Sequence, residues 1–353
     1  MNDNPHGGRR IELEAAGKRV LLDVSANLNP WGPPEVLRQR WGELFRLVEL
    51  YPPLSLSFYR ERMAKISGFS PRCLLPCNGA TQGIYLLSRV LGVERVLILE
   101  PLFTEYARAF TVVGKQVFRF SLFPGYDRRN LQRCIEQEKI QAVVLGNPSN
   151  PLGDTEGALL YERLRKENPG LIFIIDEAFQ EFMGEETSLY GYLSKDPRLY
   201  LVRSLTKYYA LAGLRGGFLL THPANLASLE RHLEPWSMNG ILAGALEILS
   251  REDLSGFHRN TRENLRQEKI FLEEAFRRWE GIFTLFPSRV NFYTLRIHRS
   301  QEEFFAFLEE EGVVVRRLTE FFALGEDFFR IAVRRREENQ ILVEVVERFV
   351  KEY

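Results

Sequence analysis

Residues 199–215 read L-Y-L-V-R-S-L-T-K-Y-Y-A-L-A-G-L-R. Leu199 to Val202 form an apolar run without alternation, the pattern of a strand covered on both faces. The run ends in a polar cluster, Ser204, Thr206 and Lys207, and Arg215 follows eight positions after the lysine. An ammonium at the mouth of a buried strand is desolvated, so its neutral amine becomes accessible at lower pH. Such an amine attacks carbonyl carbon and forms a Schiff base. Taken alone, Lys207 reads equally as a solvated surface lysine, and the rest of the chain has to decide.

Four further runs share the pattern: 95–100 (R-V-L-I-L-E), 142–147 (A-V-V-L-G-N), 171–178 (L-I-F-I-I-D-E-A) and 217–222 (G-F-L-L-T-H). Continuous apolar strands separated by amphipathic stretches predict an α/β fold whose mostly parallel sheet has helices on both faces. Ligands of such sheets collect at the carboxyl ends of the strands, where Asn147 to Asn150, Asp176 and Ser204 to Lys207 stand. After about residue 245 the texture changes to charged helical stretches (about 246–279, 301–311 and 337–351). Extended pieces, V-N-F-Y-T-L-R-I and F-F-R-I-A-V-R, lie between them. This predicts a smaller α+β domain at 246–353, a large domain at 46–245, and an N-terminal arm with part of the small domain at 1–45.

The chain has 353 residues, enough for two domains with cores of their own. Its 47 basic and 47 acidic side chains cancel, which gives no electrostatic reason to expect nucleic acid or an anionic membrane as partner. Three cysteines, Cys73, Cys77 and Cys134, cannot all pair, and the scattered histidines give no metal set. The first residues lack the apolar segment of a signal peptide, and no apolar run approaches membrane-spanning length. The expectation is a cytoplasmic protein without a metal.

Other motifs complete the chemistry around Lys207. N-G-A-T (78–81) opens an amphipathic run; glycine and a hydroxyl at a helix start expose N–H groups to an anion. F-T-E-Y (103–106) follows a strand and offers a flat ring in Phe103. G-N-P-S-N-P-L-G (146–153) is a turn-rich loop with an amide donor in Asn150. Asp176 ends an apolar strand, where an unpaired carboxylate is costly and calls for a cation. Each piece has a plainer reading: a helix cap, a core ring, a turn, a structural ion pair. Together they describe a site for pyridoxal 5′-phosphate. That cofactor requires a lysine for its aldehyde, donors for its phosphate, a carboxylate opposite the pyridine nitrogen and a flat group against the ring.

The order G-A-T, F-x-x-Y, N-P-x-G, D-E-A-F, S-x-T-K and R-G-G resembles the class I/II aminotransferase family, of the fold-type I pyridoxal-phosphate enzymes, over nearly the whole chain. The resemblance implies Lys207 as the Schiff-base lysine, Asp176 at the pyridine nitrogen, Asn150 at the ring hydroxyl and Phe103 against the ring. It implies Ala80, Thr81, Ser204, Thr206 and Arg215 around the cofactor phosphate. Tyr51, in L-Y-P-P, is similar to a tyrosine that family members contribute across a homodimer interface. F-F-R-I-A-V-R makes Arg330 the candidate for the substrate carboxylate, a task that suits a bidentate guanidinium.

Within the family, P-H-G-G (5–8), D-V-S-A-N-L-N-P-W-G-P-P (23–34) and G-V-V-V-R (312–316) are similar to the threonine-phosphate decarboxylase branch, which serves cobalamin synthesis. That resemblance implies decarboxylation of O-phospho-L-threonine to (R)-1-aminopropan-2-yl phosphate, with His6, Asn27 and Arg316 on the substrate phosphate. The neighbouring branch, histidinol-phosphate aminotransferase, would instead pass an amino group to 2-oxoglutarate. Departures stand at Leu152, Leu102, Phe179 and Gln82. After Arg316 the chain reads R-L-T-E-F-F-A-L-G, which differs from the decarboxylase branch and bears on the substrate.

Overall fold

The computed structural model describes residues 7–184 and 187–352. In chain order the strands are β1 (Leu22–Asp23), β2 (Leu74–Asn78), β3 (Arg95–Glu100), β4 (Gln116–Ser121), β5 (Ala142–Gly146), β6 (Ile172–Asp176) and β7 (Leu199–Ser204). They continue with β8 (Gly216–Thr221), β9 (Phe283–Leu285), β10 (Phe292–Ile297), β11 (Val313–Val314), β12 (Arg316–Arg317) and β13 (Phe328–Ala332). Seven of them form one sheet in the order β2-β8-β7-β6-β5-β3-β4. Strand β8 runs antiparallel to both its neighbours, and the remaining pairs are parallel. Successive side chains alternate between two separate cores. Val96, Val144, Ile174 and Val202 enter one, whereas Leu97, Val143, Ile175 and Leu201 enter the other.

The five interior strands are the five whose apolar runs stand out in the sequence. The two edges lack that signal for physical reasons. Strand β4 has only half-buried and exposed positions and none that is fully buried. Strand β2 contains Pro76, which removes a ladder donor and is tolerated at a sheet edge.

A second sheet, antiparallel and ordered β12-β13-β10-β9, is packed with the helices Ser255–Arg277, Gln301–Glu310 and Arg336–Glu352. The expected helical stretch over 246–279 is interrupted. One helix ends at Leu249 and the next begins at Ser255, where the Asp253 carboxylate accepts from the Ser255 N–H at 2.9 Å. The first of these, Gly240–Leu249, lies on the large body. A Cβ at Gly244 would come within 2.3 Å of Leu47 Cδ1 and 2.8 Å of Leu44 Cδ2, so the glycine permits the close approach.

The segment from β1 to Asn29 straps the two bodies together. Strand β1 pairs in parallel with β11 of the C-terminal body, and the Ala332 N–H donates to the Val24 carbonyl at 2.7 Å. Asn29 donates from its backbone to the Lys207 carbonyl and from its side chain to the Tyr208 carbonyl, both at 2.9 Å. No described helix is long and apolar enough to cross a membrane.

Beneath the sheet, Arg203 is fully buried between Glu177 (2.9 Å) and Glu181 (3.1 Å), with its guanidinium over the Phe69 ring. The Glu177 carboxylate also accepts from the Leu189 N–H and the Ser188 hydroxyl. Removing one partner from such a cluster strands the other charges in low dielectric, at about 3–5 kcal/mol. Arg203→Ala is therefore expected to lower the urea midpoint by that equivalent, measured on the cofactor-free protein.

Candidate active site

Asp176 closes β6 with its neighbours in register, Gly146 on β5 and Val202 on β7. It is buried, and its carboxylate accepts one backbone hydrogen bond, from Ala178 at 2.9 Å. The buried Tyr106 hydroxyl is directed at the same carboxylate without closing a bond of ordinary geometry. Desolvation raises the Asp176 pKa to about 6, against the opposing pull of the Ala178 N–H, Tyr106 and Lys207. One carboxylate so placed awaits a cationic N–H. Tyr106 belongs to F-T-E-Y, yet sequence reasoning gave it no role. The usable signal was its position three residues after Phe103, at the start of the helix Glu105–Val112.

Lys207 lies on the single turn Leu205–Tyr208, opened by Ser204, whose hydroxyl accepts from the Thr206 N–H at 3.2 Å. The side chain keeps partial solvent access, and the space it opens into is a cleft rather than bulk water. Enclosure lowers its pKa to about 8, with the charges of Arg330 and Arg215 acting in the same direction and Asp176 against them.

The helix Gly79–Val90 begins beside this turn. Asn78 pairs with Gly216 and Ser204 with Gly217, so the start of β8 holds the ends of β2 and β7 side by side. No side chain caps the helix; the Gln82 amide oxygen accepts instead from the Asn78 N–H at 2.7 Å. Ala80 and Thr81 are half-buried in its first turn. Arg215 is exposed and adopts a left-handed backbone, φ 57°, a conformation that costs a non-glycine residue energy and is concentrated at functional sites. Its guanidinium crosses Gly79, where a Cβ would lie 2.8 Å from Nη2, and Gly79 itself has φ +76°. Free helix N–H groups, the positive helix end and a guanidinium form an anion cradle. Ser204 and Thr206, both buried, border it. Phe103 is half-buried and packs against the second core.

The opposite wall comes from the small sheet, where Arg316 of β12 and Arg330 of β13 stand opposite each other in register. Arg330 donates from Nη1 to Asn150 Oδ1 and from Nη2 to the Ser25 carbonyl at 3.2 Å, and its guanidinium lies over the Phe292 ring. Its Nε has no hydrogen-bond partner among the described residues. Burial and the neighbouring Arg316 lower its pKa to about 9, and burial lowers that of Arg316 to about 10. Because Arg330 takes the Asn150 oxygen, the Asn150 amide nitrogen is left as a donor toward the cleft. The Asn150 loop is fixed to the small sheet by Thr294 Oγ1, which donates to the Pro151 carbonyl at 2.6 Å.

Asn27 is buried, and neither atom of its amide has a partner among the described residues. Tyr51 is 85% exposed, its ring 5.4 Å from that of Trp236. His6 lies outside the described residues. Phe179 is buried edge-on against Phe292, in an apolar setting with no hydroxyl to offer. Glu320, which pairs with Arg316, was quoted in the sequence only as part of a divergent loop.

Comparison with known proteins matches residues 19–346 to the aminotransferase class I and II model. The chain belongs to this family. It is 28% identical to the threonine-phosphate decarboxylase of Salmonella typhimurium, over 97% of this chain and 95% of that protein. It is 30% identical to the L-serine phosphate decarboxylase of Sulfurospirillum multivorans, over 94% and 89%. Among solved structures, a histidinol-phosphate aminotransferase from Clostridium acetobutylicum superposes with a TM-score of 0.84 at 24% identity, covering 94% of this chain and all of that one. The family fold is fold type I and its cofactor is pyridoxal 5′-phosphate.

The residues present fit that cofactor. The under-compensated carboxylate of Asp176, the depressed amine of Lys207 and the cradle that a Cβ at Gly79 would obstruct are three of the four features it requires. The lowered Lys207 pKa has a kinetic consequence. The neutral amine accumulates up to about pH 8 instead of the ordinary 10.5. Capture of pyridoxal phosphate by the cofactor-free protein, followed by absorbance, is expected to accelerate with pH and level off above about 8. Arg330→Gln removes a positive neighbour and should move that midpoint upward.

Proposed function

We propose that the protein decarboxylates O-phospho-L-threonine, giving (R)-1-aminopropan-2-yl phosphate for cobalamin synthesis. The observation that carries the reading is the register pair Arg316–Arg330. The two guanidinium groups are buried side by side, Arg316 held by Glu320 and Arg330 by neutral oxygens, and a substrate bearing two anions can pair with both. The relatives named as decarboxylases of threonine phosphate and serine phosphate support the same substrate class. A site for an amino acid with one carboxylate would need only one of the two arginines.

In this reading residues 46–245 hold the cofactor, while 1–45 and 246–353 supply the substrate wall. Ala80, Thr81, Ser204, Thr206 and Arg215 hold the cofactor phosphate, Asp176 faces the pyridine nitrogen, Asn150 the ring hydroxyl and Phe103 the ring. Pyridoxal phosphate, when bound, supplies an acceptor for the electron pair released at Cα. The Asp176 carboxylate would accept a hydrogen bond from a protonated ring nitrogen and so keep that acceptor cationic. Arg330 binds the substrate carboxylate, and Arg316, Asn27 and His6 bind its phosphate. Two fixed anions would leave little rotation about Cα, so the residues that bind them would decide which of its bonds breaks. When carbon dioxide leaves, Cα must gain a proton, and the Lys207 ammonium is the donor on that side.

We also propose that the working form is a homodimer. Trp41, Phe45, Val48, Leu50, Tyr51 and Leu54, with Trp236 beside them, are all at least half exposed. An apolar stripe of that extent is unusual on a free surface and suits a second copy of the chain. Tyr51 would then reach the partner's cofactor phosphate.

Three measurements test this reading. The purified protein should be yellow, and borohydride should discharge the colour and leave cofactor attached to Lys207; Lys207→Ala should not turn over. Carbon dioxide release from O-phospho-L-threonine without any 2-oxo acid supports the decarboxylase. Glutamate formation from histidinol phosphate, with no carbon dioxide from the phospho-amino acids, overturns it. Arg316→Ala should lower kcat/KM by roughly 30-fold or more while leaving the cofactor spectrum intact. For the dimer, mixing Lys207→Ala chains with impaired Tyr51→Phe chains should restore activity through one intact composite site. Mixtures that exchange chains and stay inactive would exclude a shared tyrosine.

A further inference from the structure

Arg330 and Arg316 are partners in register, yet their surroundings differ. Arg330 donates to neutral oxygens, of Asn150 and Ser25. Arg316 is met by a carboxylate: Glu320, four residues further on, accepts from its Nη2. The pair is shielded, with side-chain exposures of 10% for Arg316 and 22% for Glu320. The backbone that carries Glu320 is fixed by apolar packing, since Leu318, Phe321, Leu324 and Phe328 form a small cluster with Phe123 and Phe286. The carboxylate itself ends a flexible side chain that keeps some access to solvent. A carboxylate presents a guanidinium with oxygens much as a phosphate does.

We propose that Glu320 is a displaceable occupant of the subsite for the substrate's distal anion, and holds that subsite closed until a distal anion replaces it. The inference rests on the reading of Arg316 as a phosphate-binding residue. In the free protein Glu320 neutralises Arg316, and an incoming distal group gains only the difference between its own pairing and the one it replaces. A singly charged group, such as a sulfate ester or a carboxylate, offers about what Glu320 already provides and gains little. A phosphate ester carrying two charges gains more and drives the glutamate outward.

The test compares Glu320→Gln, Glu320→Asp and Arg316→Ala on the cofactor-loaded protein, with O-phospho-L-threonine, O-sulfo-L-threonine and inorganic phosphate as probes. Glu320→Gln should lower KM for the phosphate ester and Ki for inorganic phosphate by about tenfold, with kcat little changed. The sulfate ester should gain by the same factor, because the pairing displaced is the same, and Glu320→Asp should fall in between. Retained cofactor absorbance reports that the variants are folded. If Glu320→Gln leaves KM unchanged or raises it while Arg316→Ala raises it, Glu320 positions the arginine and the competition is overturned. If Arg316→Ala changes neither constant, the assignment of Arg316 fails, and the role of Glu320 with it.

Discussion

The burial of one carboxylate sets the terms for everything around it. Asp176 lies at the end of an interior strand, where water cannot reach it and one backbone N–H compensates it. Its desolvation is tolerable only if positive charge gathers nearby, and Lys207, Arg215 and Arg330 do gather. Burial depresses the lysine, the two arginines depress it further, and the cleft is left short of anions. A cofactor with a cationic ring nitrogen and an anionic phosphate resolves both demands at once. The arrangement is unstable in its electrostatics when empty and balanced when filled, which is the general form of a preorganised site.

Much of this was readable in the chain because the parallel sheet writes itself in continuous apolar runs. Runs ending in Asn147, Asp176 and Ser204 placed the polar residues at one rim, and the interior strands agree with that reading. The edges were unreadable: Pro76 interrupts one, and the other has no fully buried position. The break between Leu249 and Ser255 was also missed, since charged residues on both sides continue the helical texture.

Relations between side chains were the least legible. Nothing in the spacing of Asn150 and Arg330 says that one orients the amide of the other, or that Tyr106 stands behind Asp176. The register of β12 with β13 is likewise invisible in a chain that separates Arg316 from Arg330 by a loop, although it sets the spacing between the two guanidinium groups. Sequence supplies the donors and acceptors, and tertiary register decides which of them meet.

The N-terminal strap carries a consequence for biosynthesis. Ser25 meets Arg330 across 305 positions of chain, and Asn29 holds the backbone of Lys207. A ribosome releases the strap well before its partner strands β11 and β13, so the strap must wait, unpaired, for them. Long-range closure of this kind is slow. The lysine turn can fold with its own sheet, but the cleft acquires its second wall only after β13 has been made. A nascent chain is thus denied a finished reactive centre until that strand exists.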